Sequence, residues 1–143
     1  MSLDQIFSVC STLAMAGWII LIFLPFWRNR DTYVFGIIII ILSIVYAALL
    51  LPGFNGETFK SFGTLDGVAQ LFTNKQMLLA GWVHYLAFDL LAGVYIVRNA
   101  AANNVNHWLT TPALAATFVA GPVGLLLYTV MRIVRTKKLF TGI

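Results

Sequence analysis

The chain has 143 residues, of which 60% are hydrophobic and only 10% are charged. This composition excludes an ordinary soluble domain, since soluble proteins carry about 25% charged residues. The net charge of +4 does not indicate nucleic-acid binding, because the basic residues lie at the ends of apolar segments, where lipid headgroups would meet them. We therefore predict a single all-α integral membrane domain over residues 1–143.

Four apolar segments are long enough to cross a bilayer as helices, which takes about 20 residues each. They predict transmembrane helices over 6–26, 33–51, 77–97 and 108–131, arranged as two antiparallel hairpins. The first segment lacks the basic start and the small-residue cleavage site of a signal peptide. A Ser- and Arg-rich plastid transit peptide is also missing, so we expect a bacterial or already processed protein and favour the bacterial inner membrane.

Charge asymmetry predicts the orientation of this four-span arrangement. Both termini would lie on one side together with the loop over 52–76, and that side would carry Lys60, Lys75, Arg132, Arg135, Lys137 and Lys138. The other side would carry Arg28, Arg30 and Arg98. Because basic residues are enriched in cytoplasmic loops, six against three predicts cytoplasmic termini.

The segment over 64–72 is expected to form a short helix on the membrane surface. Leu65, Val68, Leu71 and Phe72 follow a helical spacing that places an apolar stripe on one face. Such a helix could be a lid over the bundle or a plain connector, and the pattern does not distinguish the two.

Asp89 is the most informative residue, because an ionisable group near the middle of a membrane helix costs several kcal/mol. At about 100° per residue it shares one helix face with Trp82, Tyr85, Ala92 and Ile96, so we expect this face to point into the bundle. Away from water the carboxyl group is expected to be neutral at pH 7 and able to donate a proton. A protonated aspartate that only bonds a free backbone carbonyl is the structural alternative.

His84 lies five residues before Asp89, about 140° around the helix, and cannot closely share its face. Histidine exchanges protons near neutral pH, but a membrane histidine can also simply bond a neighbouring helix, and both interpretations stay open. Two histidines, the lone Cys10 and one embedded aspartate match no metal-ligand spacing, so we expect neither a metal nor a cofactor.

The predicted fourth helix contains a proline. Pro122 removes one backbone hydrogen bond, leaves the carbonyl of Phe118 without its usual donor and should kink the helix near the membrane middle. Ala116, Ala120 and Gly124 follow four-residue spacing, which predicts a small-residue ridge for a neighbouring helix, a homo-oligomer or a larger membrane complex.

The segment Ala80–Ala92, with the core Trp-x-His-x4-Asp-Leu at Trp82, His84 and Asp89, resembles the signature of a membrane protein family. That family is typified by the plant neoxanthin-synthesis protein named for abscisic-acid deficiency. Residues 65–72 resemble its segment before the same helix, and 122–124 resemble its Pro-Val-Gly in the last helix. The resemblance implies a four-helix membrane protein of carotenoid metabolism, whose plant members are needed to convert violaxanthin, an epoxide, to the allenic neoxanthin.

Opening an epoxide to an allene calls for an acid at the oxygen and a base at a carbon-bound proton, roles that Asp89 and His84 could divide. A polyene would lie along aromatic and small-residue helix faces, so the expected substrate-binding residues are Trp82, Tyr85, Pro122, Gly124 and Tyr128. The first hypothesis is therefore a carotenoid isomerase. The second is a noncatalytic subunit or scaffold that binds pigment or lipid, and the third is a small oligomeric transporter coupled to protons.

Overall fold

The computed structural model describes residues 1–137 and confirms the all-α class, with seven helices and no strand in that range. Lys138 of the predicted basic side lies outside the described residues. The helix over Arg30–Gly53 contains a π-helical stretch over Val34–Ile39 and ends in a 3-10 turn. The seven helices are α1 (Leu3–Phe23), α2 (Arg30–Gly53), α3 (Gly56–Ser61), α4 (Leu65–Leu71), α5 (Lys75–Ala102), α6 (His107–Val119) and α7 (Gly121–Thr136).

Helices α1, α2 and α5, with 21, 24 and 28 residues, are long and apolar enough to cross a membrane. They correspond to the predicted spans over 6–26, 33–51 and 77–97, and glycines bring them close together. A Cβ on Gly17 of α1 would lie 3.0 Å from Leu90 of α5 and 3.4 Å from Ile38 of α2. A Cβ on Gly93 would lie 2.9 Å from the Trp18 ring. α5 is therefore packed directly against α1, with α2 at the same level.

The predicted fourth span over 108–131 is wrong as a single helix. It is divided into α6 and α7 at Ala120, whose backbone leaves the helical region at φ −154° and ψ 86°. Pro122 explains this position, since it has no N–H for the carbonyl of Phe118 and its ring would crowd that turn of a continuing helix. With 13 and 16 residues, neither piece has the ~20 residues of a full crossing. The expected kink is a complete break.

The two pieces fold back on each other as a helical hairpin. A Cβ on Gly124 of α7 would lie only 2.1 Å from the amide nitrogen of Thr117 of α6. In one continuous helix these residues would be about 10 Å apart along the axis, so the chain must reverse between them. The predicted ridge of Ala116, Ala120 and Gly124 is consequently wrong, because its members belong to two pieces that run in opposite directions.

Helix α7 runs in the same direction as α5. Its first residue, Gly121, lies against Asp89, and Tyr128 donates a hydrogen bond of 2.7 Å to Asn99, ten residues further along α5. Because later residues of α7 contact later residues of α5, the two helices are parallel and α7 ends near the C-terminal end of α5. α2 is therefore antiparallel to both α1 and α5. The first predicted hairpin is present, whereas the second, in which a full-length fourth span would pair with α5, is wrong.

The hairpin enters and leaves the bundle at the same end. At the start of α6, His107 bonds the carbonyl of Ile22 near the end of α1. Near the end of α5, Arg98 pairs with Asp31 in the first turn of α2. Leu3 lies at the other end of the bundle, where it lines one pocket together with Lys75. Leu3 and the end of α7 therefore lie at opposite ends of the bundle, because the fourth segment turns back halfway. The expectation that both termini share one side assumed a fourth complete span.

The predicted surface segment over 64–72 is helical, as α4. The Thr64 side chain accepts a hydrogen bond from the amide of Gly67 and so caps the first turn. Leu65 is 85% exposed, whereas Phe72 lies over Gly81 of α5, where an added Cβ would be 2.8 Å from its ring. The segment therefore contacts the bundle through its C-terminal end.

Candidate functional site

The tip of the α6–α7 hairpin meets two polar side chains of α5. The hydroxyl of Tyr85 donates a hydrogen bond of 2.7 Å to the carbonyl of Val119, the last residue of α6. One turn further along α5, the carboxyl group of Asp89 faces the backbone N–H of Gly121, the first residue of α7. These two contacts place the break against the predicted interior face of α5.

The polarity of this arrangement follows from the free backbone groups at helix ends. The last carbonyls of α6 and the first N–H groups of α7 have no partner within their own helix. Pro122 has no N–H, and the N–H groups of Val123 and Gly124 bond the carbonyl of Ala120 at 2.9 and 3.1 Å. The N–H of Gly121 is therefore the group left over, and the Asp89 carboxyl lies at the partly positive end of α7.

Asp89 is buried, with 6% of its surface exposed, as the helix-face pattern predicted. Its two oxygens have different surroundings. Oδ1 lies against Gly121, whereas Oδ2 makes no hydrogen bond with any residue in the described range. The Tyr85 hydroxyl also faces the carboxyl, but its single proton is directed to Val119. Asp89 thus caps a helix with one oxygen and keeps the other available for a proton.

An apolar groove runs along the same face of α5 towards this tip. Trp82 stacks on Tyr85 with ring centroids 5.5 Å apart, and Phe7 of α1 lies 5.7 Å from the Trp82 ring. The groove consists of two adjoining pockets of about 380 and 360 Å³ that share Trp82 and Leu78. The first has Lys75 at its outer end and the second ends at Tyr85. Two predicted binding residues, Trp82 and Tyr85, therefore share one elongated surface.

His84 does not join this surface. Its ring lies 5.3 Å from Tyr46 of α2 and 4.5 Å from Phe88, and it lines a separate pocket of about 270 Å³ beneath α4. Phe72 borders both this pocket and the groove, because it lies over Gly81 between them. The two residues expected to divide the acid and base roles, His84 and Asp89, thus face different neighbours.

The other predicted binding residues lie in or near the hairpin itself. Pro122 is exposed, while Gly124 is packed against Thr117. Tyr128 is only 1% exposed, and its hydroxyl bonds Asn99, which is fully buried. Gly124 and Tyr128 therefore hold the hairpin to itself and to α5, and neither lines the groove.

Sequence reasoning missed Asn99. Asn99 lies beyond residue 97, where the predicted span ended, and directly follows Arg98, so the sequence presented it as part of a polar helix end. It also gave no role to the pair Arg30 and His107, whose side chains bond at 3.2 Å across 77 positions of the chain. No periodicity could have connected residues so far apart. Within residues 1–137, no three His, Cys, Asp or Glu side chains come together as a group that could hold a metal ion.

A family model described as ABA DEFICIENT 4-like matches residues 5–128. The chain belongs to the ABA4-like family. The match confirms the resemblance seen in the sequence and, with it, a connection to carotenoid metabolism. In this ABA4-like chain the matched range contains the groove, Asp89 and the tip of the hairpin. No curated protein and no solved structure matches the chain.

Proposed function

We propose that the chain is an integral membrane protein that binds a carotenoid-like polyene in the groove along α5, with one end of the polyene at Tyr85 and Asp89. The observation that carries this proposal is the continuous aromatic face of Phe7, Trp82 and Tyr85, which ends beside a buried carboxyl group. A rigid, extended polyene matches such a face because flat conjugated chains stack on aromatic rings and lose little conformational entropy on binding. Membership of the ABA4-like family supports the choice of ligand class.

In this proposal α1, α2 and α5 cross the bilayer, and the α6–α7 hairpin enters it halfway and returns. Broken helices of this kind are tolerated inside a membrane where protein side chains satisfy the freed backbone groups, as Tyr85 and Asp89 do for Val119 and Gly121. The freed backbone groups of the tip are thereby bonded to protein, so that they do not need water inside the bilayer.

The distribution of basic residues supports an N-terminus outside the cytoplasm, opposite to the expectation from four spans. Two lie at the end of the bundle with Leu3, namely Lys60 and Lys75. Six of the described residues lie at the other end, namely Arg28, Arg30, Arg98, Arg132, Arg135 and Lys137. The positive-inside rule then puts the end of α7 in the cytoplasm and the start of α1 outside.

Catalysis is a second candidate function, favoured by one observation. The Oδ2 atom of Asp89 is buried and has no hydrogen-bond partner within residues 1–137, so a protonated carboxyl could donate to an oxygen on the end ring of a bound polyene. An isomerase would also need a base. His84 could reach the same ligand only if Phe72 moved aside, since that ring borders both pockets.

The binding proposal is tested by expressing the chain in a host that makes carotenoids and purifying it gently in detergent. We expect an absorption spectrum with polyene bands in the purified protein. Trp82→Ala should lose most of this absorbance, whereas Trp108→Ala, which removes another exposed tryptophan ring outside the groove, should keep it. Parent protein without any pigment would overturn the proposal.

The catalytic candidate is tested by Asp89→Asn in the same host. Asparagine keeps an oxygen for the Gly121 N–H and nearly the same volume, so folding should be preserved while the acid is lost. We expect a changed pigment profile by chromatography at an unchanged protein level. A parent-like profile would exclude Asp89 as the acid and leave binding as the function.

A further inference from the structure

Another pocket lies at the opposite end of α5 from the entrance of the groove. It has a volume of about 370 Å³ and is lined by the loop before α2, the start of α2 and the last turns of α5. Arg98 on its wall lies nine residues after Asp89, or about 14 Å along the helix. None of its lining residues belongs to the aromatic groove.

Arg30 is the unusual residue of this pocket. It lines the pocket, yet its side chain is only 8% exposed, which is rare for a cation. Its Nη2 lies 3.2 Å from Nδ1 of His107, while Nη1 is buried without a hydrogen-bond partner among residues 1–137. A buried guanidinium nitrogen with no acceptor is costly, so the site is incomplete without one.

His107 accepts one bond from Nη2 of Arg30 and cannot also be the acceptor for Nη1. Nε2 of His107 lies 2.8 Å from the carbonyl of Ile22 and must donate to it, since a carbonyl only accepts. Nδ1 is then the acceptor that faces Arg30, and the ring is neutral in this arrangement. His107 orients the guanidinium and leaves its charge uncompensated.

The charges of the pocket favour an anion. Arg28, Arg30 and Arg98 contribute three positive charges, and Asp31 contributes one negative charge that is already paired with Nε of Arg98 at 2.5 Å. The 24-residue helix α2 begins here, and the Asn29 side chain at its N-terminus makes no capping bond. The partly positive helix end therefore adds to the cationic surroundings.

We propose that this pocket binds a phosphate group, with Arg30 as the buried contact and Arg28 and Arg98 at its sides. Guanidinium groups match the tetrahedral oxygens of phosphate through paired N–H donors, and a phosphate or diphosphate would offset the excess of two positive charges. The phosphate could come from an anionic phospholipid headgroup or from a soluble isoprenoid-type diphosphate. The two sources share the chemistry of the site and differ in the rest of the ligand.

The test measures thermal unfolding of the full chain in a non-ionic detergent. Inorganic pyrophosphate and short-chain phosphatidylglycerol are titrated separately, with sodium chloride at matched ionic strength as the reference. We expect at least one of them to raise the melting temperature, because a ligand that binds only the folded state stabilises it by mass action. A rise with pyrophosphate alone identifies a free phosphate, and a rise with phosphatidylglycerol identifies a headgroup.

Variants then locate the effect. Arg28→Gln removes an exposed arginine of the pocket and should weaken the apparent affinity about tenfold, as expected for one lost charge-assisted contact. Arg135→Gln removes an exposed arginine elsewhere on the molecule and should leave the affinity unchanged. Arg30→Gln should abolish the response, but only a variant that still purifies as a folded monodisperse species is informative.

Two results would overturn the proposal. One is a parent protein whose melting temperature responds to neither probe beyond the chloride reference. The other is an equal loss of affinity in Arg28→Gln and Arg135→Gln, which would show that the response is only a general effect of positive charge. Neither result bears on pigment binding, which concerns the other end of α5.

Discussion

The α-carbon of Gly121 lies directly against the carboxyl group of Asp89, so that an added Cβ would be 2.0 Å from Oδ1 and 2.7 Å from Cγ. The contact requires glycine at the start of α7, because a larger residue would overlap the carboxyl group. It also requires a short polar side chain on α5 that can accept a hydrogen bond from the free N–H. The hairpin tip and the embedded acid are thus one structural unit.

Gly121→Ala should destabilise the protein by about 1–3 kcal/mol, the usual cost of forcing extra atoms into a packed site. Asp89→Ala should remove most of this added cost, because it removes the atoms that the new methyl group would meet. The measurement is the melting temperature of the two single variants and the double variant in detergent. Gly36→Ala is the matched control, since nothing lies within 4 Å of a Cβ at that position; purely additive effects at Gly121 and Asp89 would contradict the contact.

Tyr128→Phe should lower the free energy of unfolding by about 1 kcal/mol or more, because it leaves the fully buried Asn99 side chain without its partner hydroxyl. Tyr33→Phe, at an exposed ring, should change it little. Equal effects of the two substitutions would show that the Tyr128 bond does not hold α7 to α5. Thermal unfolding in detergent measures both.

The hairpin predicts that the start of α1 and the end of α7 lie on opposite sides of the membrane. Ser2→Cys and Lys137→Cys, each in a Cys10→Ala background, should therefore react with a membrane-impermeant maleimide from opposite faces of sealed inner-membrane vesicles. Lys137 should be the one on the cytoplasmic face. Labelling of both positions from the same face would mean that residues 108–131 cross completely.

The stability of the protein should depend on pH through His107. Burial, together with the neighbouring Arg30 charge, lowers the pKa of this imidazole below its usual 6.5. Below pH 6.5 His107 is protonated in the unfolded chain but stays neutral in the folded chain until the pH reaches its lower folded pKa. The free energy of unfolding should therefore fall as the pH drops from 6.5 towards the folded pKa, and it should stay level above 6.5. The contribution is thus present at neutral pH and lost in acid.

Melting temperatures measured across this range should decline in the parent and much less in His107→Gln. His84→Gln should keep the parental decline, because that ring lies against Tyr46 and Phe88 and has no contact with His107 or Arg30. A decline of equal size in His107→Gln and the parent would assign it to another group.

Much of the architecture was predictable from local patterns. Apolar runs, interrupted in α5 only by His84 and Asp89, predicted α1, α2 and α5, because the length and hydrophobicity of one helix can be read from its own residues. The spacing of Trp82, Tyr85 and Asp89 placed them on one face of α5, since helical geometry alone determines which residues of one helix share a side. That this whole face points into the bundle was wrong, because Asp89 is buried but Trp82 is 40% exposed. The separation of His84 from Asp89 followed from the same geometry.

Only the tertiary structure decided that the fourth apolar segment is a hairpin. Pro122 destabilises a continuous helix, because it lacks an N–H and its ring crowds the preceding turn. Either a kink or a full break would relieve this. A full break is stable where another helix supplies a donor for the last carbonyl of α6 and an acceptor for the first N–H of α7, as Tyr85 and Asp89 of α5 do. Those partners lie more than 30 positions away, and no pattern within residues 108–131 reports their presence, so the side on which the chain ends could not be deduced from the sequence alone.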